Sequence, residues 1–155
     1  MEEKVTYYGF ADNDYQFLKA NVEEGRVSNA MCSMAQNTCE RYLKALIEEI
    51  ATLQHDTEIM KTHSLKRLKS FIQKNIPDFS CDWKTVVQAD GYYFSARYPG
   101  DDSYYVTKSD VDDCWEAVKE TKYAVDKYRE SHVQEKVKQK EAFEQFKNKF
   151  IQGMD

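Results

Sequence analysis

Apolar residues recur at every third or fourth position for longer between Ser28 and Leu53 than anywhere else in the chain. Met31, Met34 or Ala35, Cys39, Tyr42, Leu43, Leu46, Ile50 and Leu53 fall on one face of an α-helix. No Gly or Pro interrupts the segment, Ala, Leu, Glu and Lys fill it, and Ser28 or Asn29 supplies an N-cap. A helix striped in this way cannot cover its apolar face alone, so the rest of the chain is expected to provide helices that pack against it.

The other segments meet that expectation. Asp12, Asn13 or Asp14 caps a short helix through Tyr15, Leu18 and Val22 that stops near Gly25, while the residues before Asp12 carry no clear period. After a polar connection from Gln54, Thr62 or Ser64 caps a third helix through Leu65, Leu68, Phe71, Ile72 and Ile76, which Pro77 ends. Asp82 caps a further helix through Trp83, Val86, Val87, Tyr92, Tyr93 and Phe94 to Arg97, stopped by Pro99 and Gly100. Ser109, with Asp112 three positions on, resembles a capping box at the start of a last helix through Val111, Cys114, Trp115, Val118, Val125 and Tyr128. Beyond Arg129 the chain is rich in Lys, Glu and Gln, with Val133, Val137, Phe143, Phe146 and Phe150 only loosely periodic, which predicts a less buried helix. The pattern predicts an all-α protein, an up-and-down antiparallel bundle of four to five helices with a long C-terminal helix. Residues 1–11 read as an N-terminal arm, 12–130 as the bundle and 131–155 as a helical extension.

Length and charge narrow the picture. A chain of 155 residues suits one domain with a single core. Its net charge of −5 offers no general attraction to a phosphate backbone and leaves only a local basic patch for nucleic acid. Charge is uneven: Lys61, Lys66, Arg67, Lys69 and Lys74 share a window free of acids, whereas Asp101, Asp102, Asp110, Asp112, Asp113 and Glu116 cluster around Lys108. Cys32, Cys39, Cys81 and Cys114 form no C-x-x-C pair and no zinc-type pairing with His, so they read as reduced core thiols, with no metal and no cofactor expected. The acidic start MEEKVTYYGF lacks the features of a signal peptide and no apolar run approaches a membrane span, so a cytoplasmic protein without membrane contact is expected.

Two stretches carry candidate chemistry. In YYFSARYPGD, Tyr92 to Asp101, Arg97 shares a helical face with Val86 and Tyr93, which suits planar recognition of phosphate or carboxylate beside an aromatic ring. An ion pair with Glu40 on the core helix fits the same spacing. In THSLKRLK, Thr62 to Lys69, the backbone donors of a helix start together with Lys66 and Arg67 could hold a phosphate, or His63 could merely cap and pack. The chain contains no G-x-G-x-x-G, Walker loop, H-E-x-x-H or G-x-S-x-G. Cys32 and Cys39 lie on the buried side of the core helix, and neither His55 nor His132 has an evident catalytic companion.

Three blocks in order resemble the HEPN family of small helical bundles: AQNTCERYLKALIEE (Ala35 to Glu49), THSLKRL (Thr62 to Leu68) and ARYPGD (Ala96 to Asp101). The acidic cap and last helix, SDVDDCWEAVKETKYAVDKY, fit as well, and the resemblance spans Asp12 to Arg129. It implies an antiparallel bundle, commonly a homodimer, that serves as a nucleotide- or nucleic-acid-associated module beside a partner nucleotidyltransferase. By motif position Glu40, Lys44, His63, Arg97 and Tyr98 become the ligand-binding cluster. Many members of the family are metal-independent ribonucleases with an Arg and a His four to six residues apart on the last helix; here no Arg stands at that distance before His132, and only Arg129 shares its face. The resemblance therefore favours a non-catalytic binding module. Its alternatives are a divergent ribonuclease using Arg129 and His132 as catalytic residues, and a helical protein-interaction module.

Overall fold

The computed structural model describes residues 5–50 and 58–153. Leu53, His55 and the first part of the polar connection lie outside the described residues. The helices are α1 (Tyr7–Glu23), α2 (Asn29–Ile50), α3 (Leu65–Asn75), α4 (Trp83–Val87), α5 (Tyr92–Ser95) and α6 (Lys108–Gln152), with a short 3-10 turn at Ile59–Lys61. No strand occurs among the described residues, so the all-helical fold follows the periodicity of the sequence. The chain divides into two units, Met1–Val125 and Asp126–Asp155.

In the first unit α2 is the centre of the core. Met31, Cys32, Ala35, Cys39, Tyr42, Leu43, Leu46 and Ile47 are buried, as are Ala11 and Leu18 of α1, Leu65, Leu68 and Ile72 of α3 and Val111, Cys114, Val118 and Val125 of α6. Each Leu, Ile, Val or Met among them contributes roughly 1.5–3 kcal/mol of hydrophobic stabilisation when fully buried. Three of the expected stops and caps are local and are found. Gly25 adopts φ +75° after α1. The Ser28 hydroxyl accepts from the Met31 amide at 3.3 Å, and the Ser64 hydroxyl from the Arg67 amide at 3.2 Å.

Three boundaries differ from the periodic reading. The helix placed from Asp12 begins at Tyr7, because the Thr6 hydroxyl caps it by accepting from the Gly9 amide at 3.0 Å. Tyr8 meets Tyr42 edge-on in that first turn, and Ala11 is fully buried. The single helix expected from Asp82 to Arg97 is two short ones. Between them Ala89, Asp90, Tyr92 and Tyr93 donate to carbonyls three residues back, and the Asp90 carboxylate turns away to bond the start of α3. The last helix starts at Lys108: the Thr107 hydroxyl accepts from the Asp110 amide at 3.2 Å while the Asp110 carboxylate accepts from the Thr107 amide at 2.8 Å. This reciprocal cap lies two positions before the Ser109–Asp112 pair.

The second unit is the continuation of α6. Val133, Val137, Phe143, Phe146, Phe150 and Ile151 are all exposed there, in keeping with their loose spacing. No described helix is long and apolar enough to cross a membrane.

Candidate functional site

Buried polar groups need partners, and tracing those partners leads to one place. Among the described residues Gln36, Thr38, Glu40, Lys44 and Thr121 are the buried polar or charged ones. The threonines satisfy themselves within their helices, Thr38 donating to the Met34 carbonyl and Thr121 to that of Ala117. The other three lie on one side of α2 and converge on His63. Gln36 donates from Nε2 to the His63 carbonyl at 2.6 Å, and Lys44 bonds Glu40 at 2.9 Å. Glu40 in turn meets His63 Nδ1 at 3.0 Å. A carboxylate paired with a lysine has no proton to give, so the ring Nδ1–H donates to Glu40. Glu40 and Lys44 are 8% and 4% exposed in their side chains, His63 52%. The ion pair is hidden and the imidazole is its outlet to the surface.

The other face of the arrangement is aromatic. The His63 ring stacks on Tyr93 with centroids 4.7 Å apart and planes 12° apart, and the Arg97 guanidinium carbon lies 4.4 Å from the same Tyr93 centroid. Arg97 Nε donates to Ser33 Oγ at 3.1 Å. Ser33 and Glu40, the α2 partners of Arg97 and His63, are two helical turns or about 10 Å apart, so the tyrosine ring sits between guanidinium and imidazole. Arg97 therefore makes no pair with Glu40: Ser33 and Tyr93 hold it in place, and among the described residues its Nη groups have no hydrogen-bond partner.

Two clefts lie beside this arrangement, and Tyr93 lines the larger. The smaller, about 330 Å³, is lined by Arg97, Tyr98, Tyr104, Tyr105, Asn29 and Ser103 among others. Its wall is fixed because Asn29 donates to the Tyr104 carbonyl and accepts from the Val106 amide, both at 2.8 Å. The larger, about 580 Å³, takes in His63, Lys66, Arg67, Asp90 and the exposed Phe94. Both volumes lie in the range of small-molecule sites. The cluster implied by motif position is thus distributed. Arg97 and Tyr98 line one cleft, His63 lines the other, and Glu40 and Lys44 are buried behind His63. Free donors at the start of α3 are not found: Asp90 Oδ1 accepts from Leu65 N at 2.8 Å, Oδ2 from Lys66 N at 3.3 Å, and Ser64 takes Arg67 N.

Other titratable groups are locked. Burial pushes the Cys39 thiol up to about 12, and burial with the Glu120 and Asp82 carboxylates does the same to Cys81. The neighbouring Cys32 thiol and burial raise Cys114. Cys39, Cys81 and Cys114 are therefore not poised as nucleophiles. Tyr92 is raised by burial and by its 2.8 Å bond to Asp110, whose own carboxyl the Thr107 amide and Tyr92 hold below the usual range. Among the described residues no group of three His, Cys, Asp or Glu side chains could hold a metal ion. In the second unit His132 stacks on Tyr128, with planes 14° apart and centroids 5.9 Å apart, on the same helix as Arg129.

Sequence reasoning named the cluster without Tyr93, Ser33, Gln36 and Asp90. Gln36 lies inside the quoted AQNTCER block and Tyr93 one turn before Arg97, so both carried a signal. Asp90 and Ser33 carried none, since their partners are 25 and 64 residues away.

Comparison with known proteins agrees with the blocks read from the sequence. A family model for the HEPN domain matches residues 7–143, which extends the resemblance at both ends. No curated protein and no solved structure matches. The match covers most of the chain, on an all-helical fold, and the protein therefore belongs to the HEPN domain family of nucleotide- and RNA-associated modules.

Proposed function

We propose that the protein is a non-catalytic nucleotide-binding module in which Arg97 holds a phosphate at the smaller cleft and Tyr98, Tyr104 and Tyr105 offer ring faces to a base. One observation carries this reading: Arg97 is fixed by Ser33 and Tyr93 while its Nη groups remain available beside a cleft. A guanidinium held in this way is a pre-organised fork for phosphate, and little side-chain freedom is lost on binding. Family membership supports the ligand class, and the family resemblance supports a homodimer that works with a nucleotidyltransferase.

The test is thermal unfolding of wild type and Arg97→Ala with adenosine mono-, di- and triphosphates. A ligand at a hundred times its dissociation constant adds about 2.7 kcal/mol, which for a chain of this size raises Tm by roughly 5–10 °C. Wild type is expected to shift with at least one phosphate class, and a folded Arg97→Ala variant is not. Equal shifts in both proteins, or none in either, would overturn the reading.

A further inference from the structure

The larger cleft has a composition of its own. An anion at the start of α3 would be expected to exploit free amides, but the amides of Leu65, Lys66 and Arg67 are already taken by Asp90 and Ser64. A carboxylate stands where a phosphate would sit and repels one. Asp90 is nonetheless incompletely used, because an ionised carboxylate has about four lone-pair sites and the α3 amides fill two. It lines the cleft together with the cations Lys66 and Arg67. The walls are flat. The His63 ring is parallel to Tyr93 within 12°, and Phe94 meets Tyr93 at 83°, so the His63 and Phe94 rings stand nearly perpendicular. Phe94 is 71% exposed, a large apolar ring left uncovered at the cleft edge.

A planar ligand stacked on one of these rings turns its edge toward paired acceptors on Asp90 and toward the donors of Lys66 or Arg67. Among the bases only guanine carries two adjacent donors, N1–H and N2–H, with the acceptors O6 and N7 on the neighbouring edge. Adenine offers one exocyclic amine between two acceptors. Cytosine places its amine next to an acceptor, and uracil flanks its single N–H with two carbonyls that a carboxylate repels. We propose that the larger cleft is a guanine-selective site, with the N1–H and N2–H of the base donating to Asp90, O6 and N7 accepting from Lys66 or Arg67, and the ring stacked on Phe94. This rests on the nucleotide-binding reading for its ligand class alone, since Arg97 lies across Tyr93 in the other cleft.

The experiment is calorimetric titration of the full chain with GMP, AMP, CMP and UMP, using wild type, Asp90→Asn and Phe94→Ala. Wild type is expected to bind GMP at least tenfold tighter than the other three. Asn retains an oxygen for one α3 amide but offers a donor where guanine also donates, so Asp90→Asn should bring the four nucleotides within about twofold. Phe94→Ala removes an exposed ring and should weaken GMP several-fold with the fold intact, which decides the location if Asp90→Asn does not fold. Binding without base preference overturns the guanine site and leaves the nucleotide reading standing, whereas no binding of any nucleotide overturns both. A GMP preference that survives Asp90→Asn, or an unchanged GMP affinity in Phe94→Ala, also overturns the proposal.

Discussion

Lys44→Met tests the energetic logic of the site directly. The Lys44–Glu40 contact is 2.9 Å, so at an effective dielectric constant near 20 the gross attraction is about 6 kcal/mol. Both side chains are more than nine-tenths buried, and withdrawing each ion from water costs several kcal/mol, so the intact pair contributes little net stability. Removing only the lysine has a different effect: the Glu40 charge stays buried with only His63 to face. That situation typically costs about 3–5 kcal/mol, or a Tm lower by roughly 6–20 °C for a chain of this size. The double variant Glu40→Met/Lys44→Met removes both charges, keeps similar volume and should be within about 1 kcal/mol of wild type. Urea denaturation of the two single variants and the double variant supplies the cycle. A Lys44→Met loss under about 1 kcal/mol, the range of an exposed pair, would show that water reaches the pair and would sink the argument.

Two further outcomes follow from local geometry. Gly25→Ala should destabilise by about 1–2 kcal/mol, because φ +75° is strained for an L side chain although an added Cβ would meet no atom within 4 Å; an unchanged urea midpoint would show that the loop relaxes freely. The thiols make a statement about pH. Cys39 and Cys81 are raised from 9.0 to about 12 in the folded chain, so the unfolded chain ionises first as pH climbs. Their contribution to stability is complete below pH 9 and is lost between there and about 12. Native labelling by a thiol reagent should accordingly be slow and rise about tenfold per pH unit between 7 and 10. A fast, pH-independent phase before unfolding would contradict it.

How much of this was legible in the sequence depended on how local the determinant was. The α2 stripe, the Gly25 stop and the caps at Ser28, Ser64 and Asp82 each involve residues within one helical turn or so, and the chain states them directly. The break between α4 and α5 is not local. Asp90 leaves its own helix to bond amides 25 residues earlier, and nothing in Val87 to Phe94 announces it. At the start of α6 two overlapping patterns compete, Thr107–Asp110 and Ser109–Asp112. The first forms, and there Tyr92 holds Asp110 while Asn29 holds the Val106 amide just upstream. The same limit applies to the site. Glu40, His63 and Arg97 stand out in their blocks, but the placement of Tyr93 between imidazole and guanidinium, with Arg97 at one cleft and His63 at another, is a tertiary fact.

The arrangement around His63 is more elaborate than stability requires. A core helix built only to pack would carry Leu or Met at positions 36, 40 and 44, since a buried ion pair replaced by well-packed apolar residues is often neutral or better. Here three polar side chains on α2 instead hold one half-exposed imidazole by its carbonyl and its Nδ1, and Tyr93 holds its face. Orientation is what these contacts supply. The Glu40→Met/Lys44→Met protein separates the two roles, because stability and ring placement part company in it. If the polar residues exist for packing alone, that protein should match wild type in both urea midpoint and GMP affinity. If they exist to set His63 as a wall of the larger cleft, the midpoint should persist while GMP affinity falls several-fold.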